Sequence, residues 1–140
     1  FHAGDIGAPQ VLERLQTIAP TLAVYGNIDD ATLHTQLPEV VHTEVAGVDL
    51  VMTHIGGYPG NYAPQIRSLL FASPPQLFVC GHSHILKVQY DKTLNLLHIN
   101  PGAAGLQGWH RERTLIRLTI EGNKFSDCEV ITLSDKNHHP

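Results

Sequence analysis

The sequence predicts an α+β fold in which a mixed-sheet sandwich is flanked by helices. Two observations carry that prediction. Up to His84, short apolar runs alternate with helical segments, as parallel strands joined by crossovers do. After His84 the apolar period changes to two and turn residues separate the runs, as in antiparallel hairpins. A front half of βα type joined to an antiparallel rear half argues against a purely doubly wound sheet.

Phe1-His2-Ala3-Gly4-Asp5 reads as the last part of a strand that starts upstream. Ala8 to Ala19 reads as an amphipathic helix, with Pro9 in its first turn, where a missing N–H costs nothing. Val11, Leu12, Leu15, Ile18 and Ala19 form its apolar face, and Pro20 closes it. A strand from Thr21 to Tyr25 follows, then a short helix through Thr35 with Asp30 as its N-cap. Val40–Ala46 and Val48–Thr53 read as two strands joined near Gly47. Gly56 to Gly60 reads as a flexible loop; it lacks the Lys-Ser/Thr ending of a phosphate-binding P-loop. Ala63–Phe71 is a helix with Ile66, Leu69 and Leu70 inward, broken by Ser73-Pro74-Pro75. Leu77–Cys80 is a buried strand. Ile85–Tyr90, Leu94–Ile99, Thr114–Ile120 and Lys124–Leu133 complete the strands, with turns at residues 91–93 and 121–123.

The length of 140 residues suits one domain, expected over residues 1–140 and incomplete at its N-terminal side. Nine basic against thirteen acidic side chains, with no basic stripe, disfavour nucleic-acid wrapping. No apolar run approaches a membrane span. Cys80 and Cys128 read as two reduced, mostly buried thiols. With no secretory pattern, a cytoplasmic location is expected.

Chemistry-bearing residues collect where the apolar runs stop. Asp5 follows Gly4, Asn27 follows Gly26, His54 follows the run 48–53, and His82 and His84 stand in Gly81-His82-Ser83-His84 after the run 77–80. Ligands of open α/β sheets gather outside the carboxyl ends of the strands, so these five can reach one crevice. A carboxylate, an amide and three imidazoles form an O/N donor set. That set suits manganese, iron, zinc, cobalt or nickel better than calcium or copper(I).

Gly4-Asp5, Gly26-Asn27-Ile28-Asp29, Thr53-His54-Ile55-Gly56, Gly81-His82-Ser83-His84 and Asn100-Pro101-Gly102, in this order, resemble the calcineurin-like metallophosphoesterase superfamily, and within it the small single-domain bacterial and archaeal phosphodiesterases. The resemblance implies a four-layer αββα sandwich of two mixed sheets. It implies a dinuclear, metal-dependent phosphoric ester hydrolase, most simply a phosphodiesterase working through a hydroxide that bridges the metals. Two divalent ions are implied, manganese first, with zinc, iron, nickel or cobalt as alternatives. Asp5 would bridge them, Asn27, His54 and His82 would complete one site, and His84 would belong to the other. The family's Asp-x-His motif, which supplies two more ligands, does not occur ahead of Asp5 and is expected upstream of Phe1 with the family's first strand and helix. Asp29 matches the pattern of the small subfamily, where Ile28 replaces a histidine of larger relatives; it reads as a residue behind the ligands or a proton handler, with a turn role beside Asp30 as the alternative.

The implied partner is a small phosphodiester or nucleotide-like substrate, with a homo-oligomer left open. The competing implication is an interaction scaffold of the same fold with a degraded metal site, like the retromer subunit. His2 is expected to pack near the site, His34, His42, His98 and His110 to be surface or packing residues, and His138 and His139 to form a solvated tail. Asn100-Pro101-Gly102 reads as a structural turn beside the site. Arg111 and Arg113 read as solvated loop charges or phosphate contacts, and Tyr58 and Tyr62 as packing or as walls of the substrate mouth.

Overall fold

Prolines open two of the three helices of the computed structural model, which describes residues 1–135. Helix α1 (Pro9–Ile18) and helix α3 (Pro64–Ala72) both carry proline in the first turn, after an extended Ala8 and Ala63. Helix α2 (Ala31–Gln36) lies between them in sequence and is capped by Asp30, whose Oδ1 accepts the Leu33 N–H at 2.9 Å. The apolar face expected on α1 is only partly covered. Leu12 is buried, while Val11 and Ile18 are 44% and 70% exposed.

Strands β1 (Val40–Val45) and β2 (Val48–Thr53) pair antiparallel across Ala46-Gly47, both at positive φ. The loop expected at Gly56–Gly60 is instead part of a small hairpin of β3 (Gly57–Tyr58) and β4 (Asn61–Tyr62). Gly57 is obligatory there: its φ is +75°, and a Cβ would stand 2.3 Å from the Asn61 carbonyl oxygen. Then come β5 (Leu77–Val79), β6 (Leu86–Asp91), β7 (Leu96–Pro101), β8 (Glu112–Glu121) and β9 (Lys124–Asp135). The first sheet runs β1-β2-β5-β7-β6, with β2, β5 and β7 parallel and β1 and β6 antiparallel at its edges. Strands β8 and β9 form a separate antiparallel pair with two register shifts. The Thr21–Tyr25 run forms a single parallel bridge, His2 to Ala23, rather than a full strand.

Side-chain alternation divides the core into layers. Val51 and Phe78 face α3 and pack with Ile66 and Leu70. Leu50, Met52, Leu77 and Ile99 face the other way and meet Ile116, Leu118, Ile120 and Phe125 of β8 and β9, together with Ala3 and Val24. Ala23 turns outward to Leu12 and Leu33 of α1 and α2. The result is helix, sheet, sheet, helix, the four-layer αββα arrangement.

Because β2, β5 and β7 are parallel and in register at Met52, Val79 and Ile99, their carboxyl ends lie along one edge. That edge carries His54, the His82–His84 loop and Asn100. Among the described residues no helix is long and apolar enough to cross a membrane. Cys80 is buried, which pushes its thiol up to about 12, whereas Cys128 is exposed. His138 and His139 lie outside the described residues.

Candidate metal centre

Four of the predicted residues converge. Asn27 Oδ1 stands 2.8 Å from His54 Nε2 and 2.9 Å from His82 Nδ1. Asp5 Oδ2 lies 3.3 Å from the same His54 nitrogen. The imidazoles of His54 and His82 meet edge to face, with centroids 5.1 Å apart. Among the described residues no cage of three or more His, Cys, Asp or Glu side chains forms; the amide of Asn27 is the centre of this group.

The proton positions make the convergence informative. His54 Nδ1 lies 2.7 Å from the Ala3 carbonyl oxygen, which only accepts. Nδ1 therefore holds the proton, and in a neutral ring Nε2 carries the lone pair. That lone pair faces the Asn27 carbonyl oxygen and the Asp5 carboxylate, two further acceptors. Three acceptors turned on one point repel unless a proton or a metal cation lies among them, and as an O/N donor set they fit a divalent metal.

The backbone supports this at some conformational cost. Asp5, His82 and His84 all adopt positive φ, 56°, 64° and 58°, which is uncommon for residues with a Cβ. Two neighbours must be glycine. A Cβ on Gly26 would lie 2.1 Å from Asp5 Oδ1, and one on Gly4 (φ +93°) 2.6 Å from His54 Nδ1. The buried Asn100 donates from Nδ2 to Gly81 O at 2.9 Å and to Ser83 Oγ at 3.0 Å, bracing the histidine loop from the end of β7.

Asp29 lies behind the converging side chains. Its Oδ1 accepts the Gly7 N–H and its Oδ2 the Gly26 N–H, both at 2.8 Å, so one carboxylate ties the Asp5 turn to the Asn27 turn. Burial opposes its ionisation, but backbone N–H groups of Gly7, Gly26, Ile6 and Asp5 outweigh burial and hold its carboxyl below the ordinary value. His34 donates from Nε2 toward Gly26 O at 3.2 Å and stacks on Tyr25. His2 sits close by, with Nδ1 buried and unpartnered among the described residues; burial lowers its pKa.

The fifth predicted ligand, His84, meets a residue expected only at the surface or in packing. His84 Nδ1 and His110 Nδ1 are 3.2 Å apart. Nothing in the sequence points to His110, because an irregular loop with no apolar period carries it back. Arg113 donates from Nε to Ala104 O at 2.7 Å in the same loop region. Tyr62, one of the two tyrosines considered for the substrate mouth, is buried and donates to Asp91.

Residues 1–123 match the family model of the calcineurin-like phosphoesterase superfamily domain, and the chain belongs to that superfamily. A probable metallophosphoesterase from Methanothermobacter thermautotrophicus is 28% identical over 131 residues, covering 94% of this chain and 73% of that protein. Among solved structures, an archaeal phosphodiesterase is similar with TM-score 0.73 at 19% identity, over 94% of this chain and 81% of that one. A predicted phosphoesterase from Streptococcus pneumoniae gives 0.66 at 22%, over 99% and 74%. Zinc-bound Vps29 from Entamoeba histolytica gives 0.69 at 16%, over 94% and 80%. The family implies divalent metal ions and phosphoester substrates.

Proposed function

We propose that this protein is a metal-dependent phosphodiesterase acting on small phosphodiesters or nucleotide-like molecules. The observation that carries the reading is the convergence of the lone pairs of His54 Nε2, Asn27 Oδ1 and Asp5 Oδ2. His54, Asn27 and His82 would hold one ion, Asp5 would bridge to a second, and His84 would serve that second ion. When bound, such an ion pair polarises a phosphoryl oxygen and brings the pKa of water to about 7, giving a nucleophile at neutral pH. Manganese is the first choice, and the zinc-bound relative of the same fold makes zinc the next.

The chain's own residues supply position and charge. Asp5 brings the one negative charge among the four converging side chains, while Asn27, His54 and His82 are neutral donors, so a cationic centre keeps its attraction for phosphate. Asp29 acts by holding two turns together rather than by moving a proton, since its accepting atoms are occupied by Gly7 and Gly26 and it stays ionised at neutral pH. The Ala3 carbonyl fixes the tautomer and plane of His54.

The test is cleavage of a generic chromogenic phosphodiester with added manganese. Asp5→Ala and His82→Ala are expected to abolish turnover. Undiminished turnover in both would refute the assigned roles. Absence of both turnover and metal uptake by the unaltered chain would instead support an interaction scaffold of this fold.

A further inference from the structure

The two imidazoles His84 and His110 form a pair that the ligand set above does not explain. Their Nδ1 atoms are 3.2 Å apart, and their rings meet edge to face with centroids 5.1 Å apart. His110 Nε2 lies 2.9 Å from the Gly105 carbonyl oxygen. A carbonyl oxygen only accepts, so Nε2 of His110 carries the proton and its Nδ1 carries the lone pair. Two facing lone pairs would repel. With both rings neutral, the proton between them sits on His84 Nδ1, and His84 Nε2 is the unprotonated nitrogen.

This direction repeats the one found at His54. There, Ala3 O takes the Nδ1 proton and turns Nε2 into a donor atom toward Asn27 and Asp5. A ligating histidine is usually held this way, by an acceptor on its other nitrogen. At His54 the acceptor is a carbonyl oxygen; at His84 it is a second imidazole, itself fixed by a carbonyl. Gly108 makes the approach possible. Its φ is +119°, and a Cβ there would stand 2.2 Å from His84 Nδ1 and 3.1 Å from His110 Nδ1.

We infer that His110 is a positioning residue: through its Nδ1 it sets the tautomer and plane of His84 so that Nε2 faces the second metal ion. The inference rests on the metal reading above. It assigns the loop between β7 and β8 a part in the metal centre, although that loop supplies no ligand of its own. His110→Ala removes the acceptor. His110→Asn restores one, because an asparagine oxygen can occupy the place of the imidazole Nδ1.

Two measurements on the full chain separate this inference from the metal reading. In the metal-free protein labelled with nitrogen-15 at histidine, long-range NMR correlations report each ring's tautomer. His84 is expected as Nδ1–H and His110 as Nε2–H. His110→Ala should reduce the Nδ1–H fraction of His84, and His110→Asn should bring Nδ1–H back. A titration with zinc alone gives the second measurement. His110→Ala is expected to weaken uptake of the second ion by about 10- to 100-fold, with His110→Asn close to the unaltered protein. A His84 ring that is Nε2–H from the start, or is unchanged in His110→Ala, overturns the inference whatever zinc does. Zinc bound directly to His110 Nδ1 overturns it as well. Failure of the unaltered chain to bind zinc would sink the metal reading, with the tautomers still deciding whether His110 sets His84.

Discussion

Asp29 is the residue on which the candidate site's shape depends without being one of its converging side chains. Its two oxygens each accept one backbone N–H from a different turn, Gly7 after Asp5 and Gly26 before Asn27. Hydrogen bonds to a charged acceptor are stronger than neutral ones, and here the one from Gly7 reaches a turn 22 residues away. Asp29→Asn turns one accepting oxygen into an N–H donor facing another donor. The expected loss is about 2–3 kcal/mol of stability, read from urea melts at pH 7. The pH dependence has a definite sign. The folded pKa lies below the ordinary 3.8, so the advantage over Asp29→Asn is fully present above 3.8 and is lost as pH falls through the folded value. An advantage that grows on acidification would contradict this assignment. The same carboxylate decides where proton transfer is not to be sought, because a group held ionised by several backbone donors is a poor acid near neutrality.

At the scale of elements, the site is a set of strand ends brought together by turns that tolerate no extra atom. Gly26 is the tightest of these. A Cβ there would meet Asp5 Oδ1 at 2.1 Å and Asp5 N at 2.2 Å, and the Asp5 backbone cannot swing away like a flexible side chain. Gly26→Ala is therefore expected to displace Asp5, weakening manganese uptake by more than tenfold and lowering the melting temperature. A variant with unaltered uptake would mean that Asp5 does not need this turn. Such precision is legible in sequence only where local chemistry announces it. Asp30, Pro9 and the Gly47 turn mark their own elements, and the apolar runs of β2 and β5 place His54 and His82 at strand ends. Other elements depend on partners that sequence does not name. The Thr21–Tyr25 run has the composition of a strand but keeps one bridge, to His2, because strand assignment needs a neighbour in register. Gly56–Gly60 reads as loop because two-residue strands have no period to detect. His110 is invisible for the same reason: it is brought to His84 by an irregular loop, and only the fold closes that distance. The exposed Val11 and Ile18 show the converse, apolar periodicity without cover.

For the molecule as a whole, the largest acid sensitivity of stability is expected from a histidine outside the candidate site. His98 on β7 is fully buried, with both ring nitrogens unpartnered among the described residues, against the rings of Tyr62 and Phe78. Burial lowers its pKa to about 4, the Lys87 charge acts in the same direction, and Asp91 opposes them. In the unfolded chain the same ring titrates near 6.5. Between those values the unfolded state binds the extra proton, so stability is highest above 6.5 and declines as pH falls toward about 4. The shift corresponds to roughly 3 kcal/mol, a large share of what holds a domain of this size together. The β7 strand that carries His98 also carries Asn100, the brace of the histidine loop, so acid loosening of this core strand removes support from the candidate site at the same time. His98→Leu keeps an apolar ring-sized filler and deletes two buried polar atoms that lack partners, so at pH 7 it is expected to be neutral or stabilising. Its decisive effect is on slope. The stability of His98→Leu minus that of the unaltered protein should rise by roughly 3 kcal/mol between pH 7 and pH 4 in urea melts. Equal slopes would mean that the ring is protonated in the folded core. In that case β7 would hold a buried cation, and the charge of Asp91, rather than exclusion of the proton, would govern how this sandwich responds to acid.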